Sequence, residues 1–82
     1  MYRILTEDVN RDSILLLLSN HGIDATVYPA IGLFHSELEK SLVIEIEGHA
    51  RKEVEEIAEE IKERNSQKAV MIEDVPSTYK FI

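Results

Sequence analysis

Ser41-Leu42-Val43-Ile44-Glu45-Ile46-Glu47 is the stretch that decides the fold. Leu42, Ile44 and Ile46 alternate with Val43, Glu45 and Glu47, a strict period of two. One face of this strand is apolar throughout; the other carries two carboxylates. Such a strand belongs to a sheet with one face buried and one at least partly wet, as antiparallel sheets have. Gly48 ends it.

Beyond Gly48 the period changes. From Ala50 to about Arg64, Val54, Ile57, Ala58 and Ile61 recur at i, i+3, i+4 and i+7, the narrow stripe of an amphipathic helix. The rest of that helix is Arg, Lys and Glu. Glu60 and Arg64 form a favourable i,i+4 pair, while Glu55–Glu59, Glu56–Glu60 and Glu59–Glu63 repel by a few tenths of a kcal/mol each. This acidic face reads as a solvated helix exterior, with docking of a basic partner as the alternative. Asn65-Ser66-Gln67 closes the helix. Lys68 to Val75 reads as the fourth strand, with Val70 and Ile72 opposite Ala69, Met71 and Glu73, and Pro76 ends it. Ser77 to Ile82 alternates weakly, with Tyr79 and Phe81 on one side, as a tail or a short extra strand.

Before Ser41 lies Leu33-Phe34-His35-Ser36-Glu37-Leu38-Glu39-Lys40, read with Ser41 as a polar connection. Asp24 to Gly32 is the second strand. Pro29 sits inside it, and a proline cannot donate to a ladder, so this strand belongs at a sheet edge or a bulge. Gly22 suits the left-handed position that ends a helix. That helix runs from about Arg11 to Asn20, with Asn10 offering cap chemistry. Ile14, Leu15, Leu17 and Leu18 cover more than one stripe, so it presses closely on a sheet or meets a second surface. Tyr2 to Glu7 is the first strand, with Tyr2, Ile4 and Thr6 opposite Arg3, Leu5 and Glu7.

The order is βαββαβ, the split βαβ or ferredoxin-like motif. Right-handed crossovers place both helices on one face of a four-stranded antiparallel sheet. Residues 1–82 are read as a single α+β domain, with the first and third strands central. The uncovered face then carries Arg3, Leu5, Tyr28, Val43, Glu45, Met71 and Glu73. Its apolar share exceeds that of a wet surface, and such patches mark interfaces. A homo-oligomer, trimer or dimer, joined through the open sheet face is the expectation.

Composition narrows the function classes. An 82-residue domain buries only about 60–65% of its unfolded surface, so its core is thin. Small domains often add disulfides, metals or partner subunits. The absence of Cys removes disulfides and thiolate metal sites together. Nine basic residues are scattered among sixteen acidic ones, for a net charge of −7. Phosphate-backbone binding needs clustered Lys and Arg, so neither nucleic acid nor an anionic membrane is expected as a partner. The longest apolar run, Ile14 to Leu18, is far short of a membrane span. Met1-Tyr2-Arg3-Ile4-Leu5 enters a strand pattern directly, without the apolar stretch of a signal peptide, and a cytoplasmic setting is the expectation.

Chemistry-bearing patterns are sparse. The Cys-x-x-Cys loop of heavy-metal carriers is missing. The third strand lacks the aromatics on which RNA-recognition domains stack bases. The turn Glu7-Asp8-Val9-Asn10-Arg11 carries carboxylates where an acylphosphatase needs an anion cradle. His35 with Glu37 and Glu39, in a loop, comes nearest to a metal or proton-handling cluster, but none of the three histidines has a second histidine near it in sequence to make a convincing metal pair. His21 is read as a helix C-terminal residue, favoured there as a cation, and His49 as a helix-entry residue. Glu45 and Glu47 read as solvated or salt-bridged carboxylates rather than an acid–base pair. No catalytic residue, metal or cofactor is assigned, and a non-catalytic domain is expected.

Gly22-Ile23-Asp24-Ala25-Thr26-Val27-Tyr28, then Ile31-Gly32-Leu33-Phe34-His35, then the Ser41–Glu47 strand and the acidic helix resemble the PII-like signalling superfamily. The resemblance implies a trimer with sheets turned inward, small-molecule ligands in clefts between subunits, and a mobile effector loop after Gly32. The connection is shorter here than in signalling members. The basic residues that hold nucleotide phosphates near the last strand are reduced to Lys68 and Lys80, so nucleotide binding is not carried over. Gly32, Phe34 and His35 match the base of the effector loop and are the ligand-binding candidates. The expected function is a regulatory or small-ligand-binding module. The alternative is a protein-interaction or inhibitor module acting through its acidic surface.

Overall fold

The computed structural model describes every residue except Tyr79, and of Phe34 the backbone alone. Six elements follow in the expected order: β1 (Tyr2–Glu7), α1 (Arg11–Asn20), β2 (Ala25–Phe34), β3 (Glu37–Ile46), α2 (Arg51–Arg64) and β4 (Met71–Asp74). The sheet runs β2-β3-β1-β4, with every neighbouring pair antiparallel. The fold is therefore ferredoxin-like. β1 and β3 are central, and the Pro29-bearing β2 lies at an edge.

The core forms on one side of the sheet. Ile4, Leu42, Ile44 and Ile46 have no exposed surface, and they pack against Ile14, Leu17 and Leu18 of α1 and Val54, Ile57, Ala58 and Ile61 of α2. Both helices thus cover the same face, as the alternation of Leu42, Ile44 and Ile46 requires. The outer flank of α1 leaves Leu15 and Leu16 exposed. Among the described residues no helix is long and apolar enough to cross a membrane.

Two helix-end details depart from the sequence reading. Asn10 is left-handed (φ 54°) and its side chain does not cap α1. Its amide instead donates to Asn65 Oδ1 at 3.0 Å, and the Asn65 amide donates to the Val9 carbonyl at 3.0 Å, which ties the start of α1 to the end of α2. Asn tolerates the left-handed region better than most residues do. On α2, Glu60 meets His21 (3.3 Å) rather than Arg64, and the i,i+4 pair that forms is Arg51–Glu55 at 3.0 Å. Gly22, with φ 66°, ends α1 as expected.

The main correction concerns residues 33–41. They are not a connection but the outer half of a β2–β3 hairpin, paired from Ala25↔Ile46 out to Phe34↔Glu37. His35 and Ser36 form the whole turn, with φ of 49° and 65°. Two successive left-handed residues make the turn type whose twist matches the flanking strands. A two-residue turn makes Phe34 and Glu37 a hydrogen-bonded pair, and alternation then puts Pro29 and Leu42 at a non-bonded pair. The missing proline N–H falls on the open edge and costs no ladder bond. β1 pairs β3 only as far as Glu7↔Ser41, so residues 30–40 project beyond the sheet as a two-stranded arm. The molecule extends 41 Å along its longest axis against 25 and 20 Å across it.

β4 is shorter than the Lys68–Val75 strand expected from sequence. No described residue of 77–82 joins the sheet. Tyr79, one of the two aromatics on which an extra strand was read, lies outside the described residues. The tail is held at its root: Val75 N–H donates to the Met1 carbonyl (2.8 Å), and the Ser77 hydroxyl donates to Glu47 (2.9 Å).

Candidate functional site

The uncovered sheet face holds an ionic row built by register. Thr26 lies opposite Glu45, Glu45 opposite Arg3, and Arg3 opposite Glu73, one residue from each strand. Arg3 donates through Nε and Nη2 to the same Glu45 oxygen, at 3.2 and 3.1 Å, and its Nη1 stands 3.8 Å from Glu73. The Tyr28 hydroxyl donates to that Glu45 oxygen at 3.2 Å. The hydrogen bonds that Arg3 donates to Glu45, with the charges of Glu45 and Glu73, hold its guanidinium above its ordinary value, so it stays cationic at any working pH. Around the row lie Leu5, Val43 and Met71, the first two largely covered by neighbours and Met71 more than half exposed. Every residue that the alternation assigns to this face stands on it.

The arm continues this face and adds a second. Tyr28, Ala30 and Gly32 extend the open side; Ile31, Leu33, Leu38 and Lys40 extend the helix side past the point where the helices stop. Ile31, Leu33 and Leu38 are 74%, 68% and 76% exposed. Leu33 and Leu38 are cross-strand partners, as are Ile31 and Lys40.

Of the residues marked from sequence, Gly32 is paired with Glu39 inside the arm and His35 is the first turn residue. The Phe34 side chain lies outside the described residues. These positions stand near the far end of the arm, not at the base of a loop. Among the described residues no group of three His, Asp or Glu is placed to hold a metal ion.

One buried polar pair escaped the sequence reading. The Gln67 amide lies 2.6 and 2.9 Å from the Thr6 hydroxyl through its nitrogen and oxygen, and its oxygen also accepts the Glu7 N–H at 3.3 Å. Both side chains are buried. Thr6 shares the inward parity of Tyr2 and Ile4, which marks it as a buried hydroxyl that needs a partner. Nothing in the sequence names Gln67 as that partner.

Searches place the chain by structure alone. No protein-family description matches it, and no curated protein matches it. Among solved structures, a phage SAM lyase in its apo state superposes with a TM-score of 0.56 at 19% identity, covering 87% of this chain and 74% of that one. The likeness establishes the ferredoxin-like fold. It gives the PII-like resemblance no support beyond that shared fold.

The same finding corrects the expectation of a non-catalytic domain, because an enzyme is built on this architecture at this size. The expectation rested on the absence of a few particular site types. Activity resides in sites grafted onto a fold, so missing one set does not exclude another.

Proposed function

We propose that this chain is a small-molecule-binding domain of PII-like type that works as a homo-oligomer, dimer or trimer, joined through the open face of its sheet. Its ligand is met where the arm of one copy reaches the next, near Gly32, Phe34 and His35. The observation that carries this reading is the arm: beyond its root the hairpin is only two strands wide, and Leu33 and Leu38 expose their aliphatic side chains. A thin core cannot spare two such side chains; they stand on the helix side of the arm, so a neighbour joined through the open face would cover them by wrapping around the arm tip.

SAM is the first ligand to test, because a solved protein of this fold acts on it. Calorimetric titration of the chain with SAM, read also for its breakdown, is expected to show saturable binding that Leu33→Glu or Leu38→Glu abolishes. Equal binding by the wild type and both variants would contradict a site that needs the arm packed on a neighbour.

A further inference from the structure

The geometry points to a second small-ligand site, complete within one chain, in the hollow under the root of the arm, and to a small organic anion as its ligand: an anionic head on an apolar body. The hollow holds about 360 Å³ and is lined by Asp8, Arg11, Pro29, Ala30, Ile31 and Lys40. That volume lies in the range of small-molecule sites. The site goes beyond the proposed function, since it needs no second copy and none of the residues at the arm tip.

Three features define the ligand. Pro29 and Ile31, with the backbone of Ala30 between them, form an apolar wall, and Ile31 is 74% exposed. Facing them are two cations in a molecule of net charge −7. Arg11 is fixed in place by Asp8, which accepts from its Nε at 3.1 Å and from its Nη2. A guanidinium has five donors, so the Nη1 pair remains for a ligand. Among the described residues Lys40 makes no ion pair within 4.0 Å, although its charge acts on Asp8. The hollow therefore carries one cation more than anions. Asp8 itself stays ionised, because Arg11 and then Lys40 hold it below the ordinary aspartate value. A neutral apolar molecule would leave the excess positive charge of Lys40 unanswered, and a bare inorganic anion would leave the wall uncovered.

Backbone anchoring makes the hollow a fixed shape. Asp8 N–H donates to the Lys40 carbonyl at 3.2 Å, which fastens the β1–α1 turn to the root of the arm. Ile31 and Lys40 are cross-strand partners on the helix side, so wall and cation come from one rung of the hairpin.

The test is an NMR titration of the 15N-labelled chain with phenyl phosphate, with phenol and inorganic phosphate as half-probes. Phenyl phosphate is expected to saturate and to move the amide signals of Asp8, Ala30, Ile31 and Lys40. Each half-probe is expected to bind at least about tenfold more weakly. Lys40→Met, which keeps the aliphatic stem, is expected to weaken phenyl phosphate about tenfold with the rest of the spectrum unchanged. Shifts confined to the arm tip, no saturable shift, or an unchanged affinity in Lys40→Met would overturn the assignment. A chain that is monomeric yet binds in this way would sink the oligomer reading and leave this site standing.

Discussion

Arg3 and Glu45 face each other across the two central strands, and both guanidinium contacts, 3.2 and 3.1 Å, fall on a single carboxylate oxygen. Glu73 on the other side and the Tyr28 hydroxyl complete the cluster. The one cation of the row separates two carboxylates that would otherwise be neighbours across β1. Arg3→Ala is therefore expected to lower the melting temperature more than Glu73→Gln does. Combining Arg3→Ala with Glu45→Ala is expected to cost less than the two losses summed, read by a double-mutant cycle of thermal or denaturant unfolding. Additivity would show that the pair is not coupled.

Ile44 is wholly buried at the centre of the sheet, against both helices. Ile44→Val is expected to destabilise the fold by about 1 kcal/mol. For a domain of this size that shift corresponds to roughly 4–8 °C in Tm. Circular dichroism melts check it.

Thr6 and Gln67 satisfy each other where both side chains are buried. Gln67→Ala strands the Thr6 hydroxyl and takes the partner from the Glu7 N–H, an expected loss of about 1–3 kcal/mol by urea unfolding. The double variant Thr6→Val with Gln67→Ala is expected to be milder than the sum of its parts. Equal costs from exposed polar sites elsewhere would show that the pair has no special role.

Asp8 is held below its ordinary pKa by its hydrogen bonds with Arg11. A depressed carboxylate binds fewer protons in the folded state than in the unfolded one. Its contribution to stability is therefore complete above the unfolded value and disappears as pH falls through the folded one. Unfolding free energy measured from neutral pH into the acid range is expected to fall less steeply in Asp8→Asn than in the wild type. Parallel curves would contradict the pairing.

The His35-Ser36 turn holds two side-chain-bearing residues in the left-handed region. Replacing them with Asn-Gly, the pair that this turn type favours, is expected to raise hydrogen-exchange protection across residues 30–40 and leave the helices unchanged. Ser36→Pro is expected to abolish that protection, since proline cannot take a positive φ.

The sequence carries the fold wherever burial enforces a period. Leu42, Ile44 and Ile46 fix the helix side of β3, Val54 to Ile61 fix the inner stripe of α2, and Pro29 correctly assigns β2 to an edge. It fails where burial is absent. Glu37 to Lys40 pair as a strand without any helix above them, so no apolar period announces them. The turn lacks the Asn-Gly signature and hides in His-Ser. Asn10 has the chemistry of a cap, yet its tertiary partner Asn65 takes the side chain. The open face was legible because parity alone dictates it. The hollow beneath the arm was not, because Asp8, Arg11, Ile31 and Lys40 converge only once the hairpin extends to its full length. The exclusion of catalysis was unsound for a different reason: missing motifs speak only for the chemistries they encode.

The mass of the purified chain in solution, measured by light scattering over a range of concentrations, bears most directly on the central claim that copies of this chain close over its bare sheet face and arm. A mass of two or three chains, reduced to one by Leu33→Glu or Leu38→Glu, is the expected result. A single-chain mass at every concentration would contradict it.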